Sequence, residues 1–166
     1  MMTSQAGALH APEPAPGFSL PRLAQWMREN IEGFDDRSAA LTLTRFAGGQ
    51  SNPTFLLQAG SSRYVMRRKP AGQLLPSAHA VDREFRVMSA LAGSSVPVAR
   101  AYALCRDETV IGSMFYIMDC VDGRIFWDPT LPGASPAERG ALFDEMNRVI
   151  AALHSVDVGA VGLSDY

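Results

Sequence analysis

The sequence is short of charge, of cysteine and of long apolar runs, and each shortage excludes a class of protein. Only 19% of the 166 residues are charged, and Lys+Arg 15 against Asp+Glu 17 leaves a formal net charge of -2. A general nucleic-acid binder needs a basic face to displace counterions from phosphates, so no nucleic-acid partner is expected. A content of 47% hydrophobic residues also excludes a disordered chain, which joins low hydrophobicity to high net charge. No stretch approaches the roughly 20 apolar residues that span a bilayer, so no membrane partner is expected either. The amino end reads as no signal peptide: Arg22 is its first Arg or Lys, and no apolar stretch leads to a small-residue cleavage site. The two cysteines, Cys105 and Cys120, match no zinc or redox spacing and read as buried free thiols in a reducing compartment. A cytoplasmic location is the expectation.

What is present is a clear succession of periodicities. Residues 1–17, rich in Ala, Pro and Gly, read as a mobile, disordered tail. Leu23, Trp26, Met27 and Ile31 recur at helical spacing after Pro21, and that run stops at Gly33. From Ala40 the period becomes two, giving a strand that leads into Gly48-Gly49. Thr54 to Ala59 and Arg63 to Lys69 form the next strands around a Gly60-Ser61-Ser62 turn, an antiparallel meander. A helix over Ala80 to Ala92 follows, then strands over Arg100 to Arg106 and Met114 to Val121. After a long connection, Ser135, Pro136 and Glu138 open a last helix with a capping box, and Leu142, Phe143, Met146, Val149, Ile150 and Leu153 line its apolar face. Runs of strands with one inserted helix predict an α+β sheet lobe rather than a doubly wound parallel fold.

Three elements carry chemistry. Gly48, Gly49, Gln50, Ser51 and Asn52 lie between two strands. Such a loop lets backbone N–H groups approach a phosphate, with Ser51 and Asn52 adding short donors, although an ordinary hairpin loop has the same look. No Lys-Ser/Thr pair or helix follows, so it is neither a Walker loop nor a dinucleotide fingerprint. On the third strand Val65, Arg67 and Lys69 share one face, while Tyr64, Met66 and Arg68 share the other. Val65 could cover a base and Arg67 hold its phosphates; a solvated basic strand is the plainer alternative. Glu84 falls inside the helical stripe of Val81, Phe85, Met88 and Leu91, and an inward carboxylate there needs a cation, for which Arg67 is the natural partner. An exposed Glu84 paired with Arg83 or Arg86 is the other reading.

Together these features resemble the amino-terminal lobe of the protein-kinase-like fold, in the aminoglycoside phosphotransferase and choline kinase branch. The strings Gly48-Gly49-Gln50-Ser51-Asn52-Pro53-Thr54, Tyr64-Val65-Met66-Arg67-Arg68-Lys69-Pro70, Leu74-Leu75-Pro76-Ser77-Ala78-His79 and Asp82-Arg83-Glu84-Phe85 look most like the phosphotransferase domain fused to some acyl-CoA dehydrogenases. Phe126-Trp127-Asp128-Pro129 and a helix ending Leu153-His154 extend the likeness, which covers about residues 38–166. It implies a five-stranded antiparallel sheet with one inserted helix, binding ATP. Gly48 to Asn52 would cover the phosphates, and Arg67 would stand where kinases keep a Lys, oriented by Glu84, with Lys69 as the alternative. Met118, Asp119, Cys120 and Val121 would form the hinge strand whose backbone reads the adenine edge. The implied organisation is a tail over 1–17, a nucleotide-binding lobe over 18–121, and over 122–166 the hinge and the start of a mostly helical second lobe.

The resemblance also exposes an absence. Phosphoryl transfer needs an Asp to accept the substrate's hydroxyl proton, and an Asn and a second Asp to hold Mg2+. The family carries them on a His-Gly-Asp loop and a later Asp motif, neither of which is in this sequence, whose histidines are His10, His79 and His154. No catalytic residue and no metal ligand is therefore assigned, and the expectation is the nucleotide-binding part of a truncated small-molecule kinase. Its substrate hydroxyl would belong to a hydroxy acid or its thioester. The alternative is a non-catalytic nucleotide-binding or interaction module, homo-oligomeric through the 136–154 helix.

Overall fold

In a computed structural model the described residues are 9–10, 18–46, 52–70 and 79–166. Gly48, Gly49, Gln50 and Ser51, and the Leu74 to Ala78 string, lie outside them. The element order is β1 (Leu9–His10), α1 (Leu20–Asn30), β2 (Thr42–Phe46), β3 (Thr54–Ala59), β4 (Ser62–Arg68), α2 (Val81–Leu91), β5 (Ala101–Cys105), β6 (Phe115–Asp119) and α3 (Pro136–His154). The strands form one antiparallel sheet in the order β1-β2-β3-β4-β6-β5. The five expected strands are all present. A sixth, β1, comes from the segment expected to be a disordered tail, where Leu9 and His10 pair with Phe46 and Arg45. Two residues of backbone pairing need no periodicity, so the sequence carried no sign of it.

Local chemistry sets the element ends. Ser19 caps α1, its Oγ accepting from Arg22 N–H at 3.4 Å, with Pro21 in the first turn where no N–H is missed. Ala59 pairs with Ser62 across a two-residue hairpin turn in which Gly60 has φ +57, a left-handed conformation that glycine adopts without a Cβ clash. Ser135 caps α3 as the capping box requires, accepting from Glu138 N–H at 3.2 Å. The start of α2 is different. Ala80 has φ -76 and ψ 77 and offers no side-chain cap; Val81 N–H donates to His79 O at 2.9 Å instead, an inverse γ-turn that launches the helix.

The sheet has two unlike faces. Leu23, Ala24 and Met27 of α1, with Ile31 and Phe34, close one face over Leu43, Phe55, Leu57, Tyr64, Met66, Phe115 and Ile117. The ring of Trp26 meets Phe115 edge-on, with centroids 4.9 Å apart. The other face carries α2, packed on β5 and β6, with Phe85 against Tyr116 at 6.0 Å. Arg68, on the α1 side of β4, is only 4% exposed. Burial, and then the nearby Arg45, hold its pKa below the usual arginine value. α3 contributes no buried residue, and Phe143, Met146, Ile150 and Leu153 are about half exposed. The face expected to be apolar is so, and it meets solvent. Among the described residues no helix is long and apolar enough to cross a membrane.

Two outcomes follow from this packing. Met27→Ala, at a fully buried site, should cost about 2–5 kcal/mol in urea unfolding, whereas Phe143→Ala should stay within about 0.5 kcal/mol. The Tyr102 hydroxyl donates to the Asp119 carboxylate, and that bond, with burial, pushes the phenol up from 10.0 to about 12. Between those values the folded chain holds a proton that the unfolded chain has lost, so stability falls as pH rises through this window. Tyr102→Phe should flatten that part of the alkaline unfolding profile, and a profile identical to wild type would show that the bond contributes nothing.

Candidate functional site

Alternation along β4 sends Arg67 to the α2 side of the sheet, and the first turn of α2 brings Glu84 to meet it. Arg67 Nε lies 2.8 Å from Glu84 Oε2, with side-chain exposures of 34% and 35%. The pair is therefore neither sealed nor fully solvated. Nε itself is buried and makes no directed hydrogen bond, so the contact is a charge pair approached off the N–H axis. A guanidinium held on one side and one-third exposed keeps further donors for an anion. Lys69 lies one residue beyond the strand, its N–H donating to Met114 O at 2.9 Å. Arg67, not Lys69, is the cation paired with Glu84.

Glu84 takes more than one donor. Tyr116, which stands opposite Arg67 in the β4–β6 register, donates its hydroxyl to Glu84 Oε2 at 3.2 Å. Asn52 Nδ2 donates to Oε1 at 2.8 Å. Burial, and then the Glu84 charge, raise the Tyr116 phenol well above the ordinary tyrosine value, so it remains a donor at all ordinary pH. Asn52 is only 3% exposed, and its Oδ1 lies 3.1 Å from His79 Nδ1. The carboxamide expected to face a phosphate is thus turned inward and used on Glu84 and His79. The remaining loop residues of that expectation, Gly48, Gly49, Gln50 and Ser51, lie outside the described residues.

The residues expected at the base and hinge positions divide between the two faces. Val65 is buried and stands opposite Met118, which is partly exposed on the α2 side. Asp119 turns to the other side: its carboxylate accepts from Tyr102, and its N–H donates to Arg100 O at 2.9 Å. Neither group is therefore free to read a base edge. Cys120 is partly exposed and Val121 is 72% exposed, just past the end of β6. Among the described residues, no three His, Cys, Asp or Glu side chains gather where they could hold a metal ion. The described residues alone therefore assemble no acidic cluster of the kind that would hold Mg2+.

Sequence reasoning missed Tyr116 and His79. Tyr116 had a usable signal, since period two places it on the same side as Met118, and a buried tyrosine needs a partner for its hydroxyl. His79 had none, because its contact is 27 residues away in the chain.

The geometry agrees with what this chain resembles in other proteins. The model of the phosphotransferase enzyme family matches residues 42–166. Mouse acyl-CoA dehydrogenase family member 11 is 47% identical over 150 residues, 90% of this chain but 19% of that protein. The probable acyl-CoA dehydrogenase IBR3 of Arabidopsis thaliana is 46% identical over 154 residues, again 90% of this chain and 19% of the relative. A crystal structure from Ralstonia eutropha, assigned by name as an aminoglycoside phosphotransferase, superposes with a TM-score of 0.78 at 55% identity, covering 90% of this chain and 42% of that one. The chain thus spans about a fifth of the curated relatives it matches. A β4 arginine paired with an α2 glutamate under an antiparallel sheet, and a family match over most of the sequence, lead to one assignment: the chain belongs to the phosphotransferase enzyme family.

Proposed function

We propose that this chain is the nucleotide-binding part of an ATP-dependent phosphotransferase that moves the γ-phosphoryl of ATP to a substrate hydroxyl. The observation that carries this is the Arg67–Glu84 pair, a one-third exposed cation fixed by a carboxylate on the α2 face of the sheet. Arg67 binds phosphate oxygens there, and Glu84 limits its rotation, so that the guanidinium is oriented before the nucleotide arrives. Val65 and Met118 offer apolar cover to a base, and Cys120 and Val121 offer backbone groups to its edge. When bound, ATP supplies the transferable phosphoryl group; proton acceptance from the substrate and Mg2+ binding require residues that this sequence does not contain. The curated relatives are named acyl-CoA dehydrogenases, which favours a hydroxy acid or its thioester as the phosphoryl acceptor over an aminoglycoside. A cytoplasmic enzyme fits this reading.

A second reading is favoured by one observation, the solvent-facing apolar side of α3. In it the chain is an interaction module that pairs with a second copy through residues 136–154. Light scattering that finds a monomer across a wide concentration range would count against it.

For the first reading, ATP should raise the melting temperature of the chain. Arg67→Ala, which removes a charge-assisted contact of about 1.5–3 kcal/mol, should weaken ATP binding by about one to two powers of ten. Melting curves that coincide with and without ATP would sink the nucleotide assignment.

A further inference from the structure

We propose that His79 and Asn52 are positioning residues for the nucleotide site, acting as a two-step hydrogen-bond relay that fixes the rotamer of Glu84 and, through it, Arg67. The inference rests on the nucleotide reading above and adds to it a pair of residues that touch no ligand.

The direction of the relay follows from donor and acceptor inventory. An ionised carboxylate only accepts, so the Asn52 atom 2.8 Å from Glu84 Oε1 must be the Nδ2 donor. That fixes the other end of the amide: Oδ1 faces His79 Nδ1 at 3.1 Å. An oxygen acceptor there demands a proton on Nδ1. His79 is therefore held as the Nδ1–H form, the tautomer that a free imidazole side chain disfavours. An Asn52 amide turned the other way would set an oxygen against the carboxylate and forfeit the Glu84 bond, and only an Nε2–H His79 could then accept from it.

Two further features show that the arrangement is built in. Asn52 is only 3% exposed, so water cannot replace a lost partner cheaply. His79 holds φ 58, a left-handed conformation that is uncommon and costly for a side chain with a Cβ. The residue sits at the turn that launches α2, five positions before Glu84 in the chain. Strain at that point is tolerated where the surroundings over-determine it; here the Asn52 contact holds the ring while Val81 N–H holds the His79 carbonyl. With Oε2 facing Arg67 and Tyr116 and Oε1 facing Asn52, each oxygen of Glu84 has a named donor. Removing the Asn52 step frees one oxygen and lets the carboxylate rotate away from Arg67.

The test uses the whole chain and two independent readouts. Long-range proton–nitrogen correlation at about pH 8, where imidazole is neutral, should show His79 protonated on Nδ1 and exposed His154 in the ordinary Nε2–H form. In Asn52→Ala, His79 should revert to Nε2–H. Calorimetric titration with ATP should then show binding weakened about five- to tenfold in both Asn52→Ala and His79→Gly. Glycine is chosen because it accepts φ 58 without strain, so its loss reports the imidazole and not the backbone. Wild-type His79 found as Nε2–H overturns the relay without variants. A confirmed Nδ1–H form with unchanged ATP affinity in His79→Gly overturns the positioning role while leaving the nucleotide reading intact. Wild-type chain that binds no ATP overturns both.

Discussion

The two-faced character of β4 is the constraint on which the lobe depends. A strand with helices on both sides must present apolar residues to both, yet here one position on the α2 side is given to a cation. Tyr64 and Met66 go into the α1 core, while Val65 is buried on the opposite side and Arg67 follows it. Placing a guanidinium on a half-covered face is tolerable only with a carboxylate nearby, and the first turn of α2 supplies it. The acidic residue also suits the positive end of that helix, which has no side-chain cap of its own. Electrostatics and packing therefore converge on the same few ångströms, and the position of α2 on the sheet is tied to the charge on β4.

The α1 helix makes this arrangement affordable. By sealing the opposite face with fully buried Leu23 and Met27, it supplies apolar burial away from the polar cluster, at about 25 cal/mol per Å² of apolar surface removed from water. The stability of the lobe can then rest on one side of the sheet, and the other side can hold partly hydrated groups. Arg68 shows the limit of that division. It points to the α1 side, where burial and Arg45 both disfavour its charge, and no carboxylate among the described ion pairs compensates it.

Much of this was legible in the sequence because it is local. The Thr54–Ala59 strand and the Ser135 cap occur where residue spacing and capping chemistry place them, and the opposition of Arg67 to Glu84 follows from crossing a period of two with a period of 3.6. The inward turn of Asn52 was not legible, because an asparagine after a glycine loop looks the same whether its amide faces a ligand or a glutamate 32 residues on. The engagement of Asp119 with Tyr102 was hidden for the same reason, being a cross-strand contact of register and not of pattern. The exposure of α3 was legible in part: its stripe from Leu142 to Leu153 has little sequence after it to cover it, although a stripe states what a helix can bury and not what covers it.

The sheet ends in two unlike rims. On one side β1 contributes two residues, and on the other β5 contributes five, with a register shift between Ala101 and Ala103 where it meets β6. A chain seeking to extend a sheet needs a long, flat row of free peptide groups, and a short strand or an irregular one offers little of it. In colloidal terms, the described rims offer little for edge-to-edge pairing of one molecule's sheet with another's.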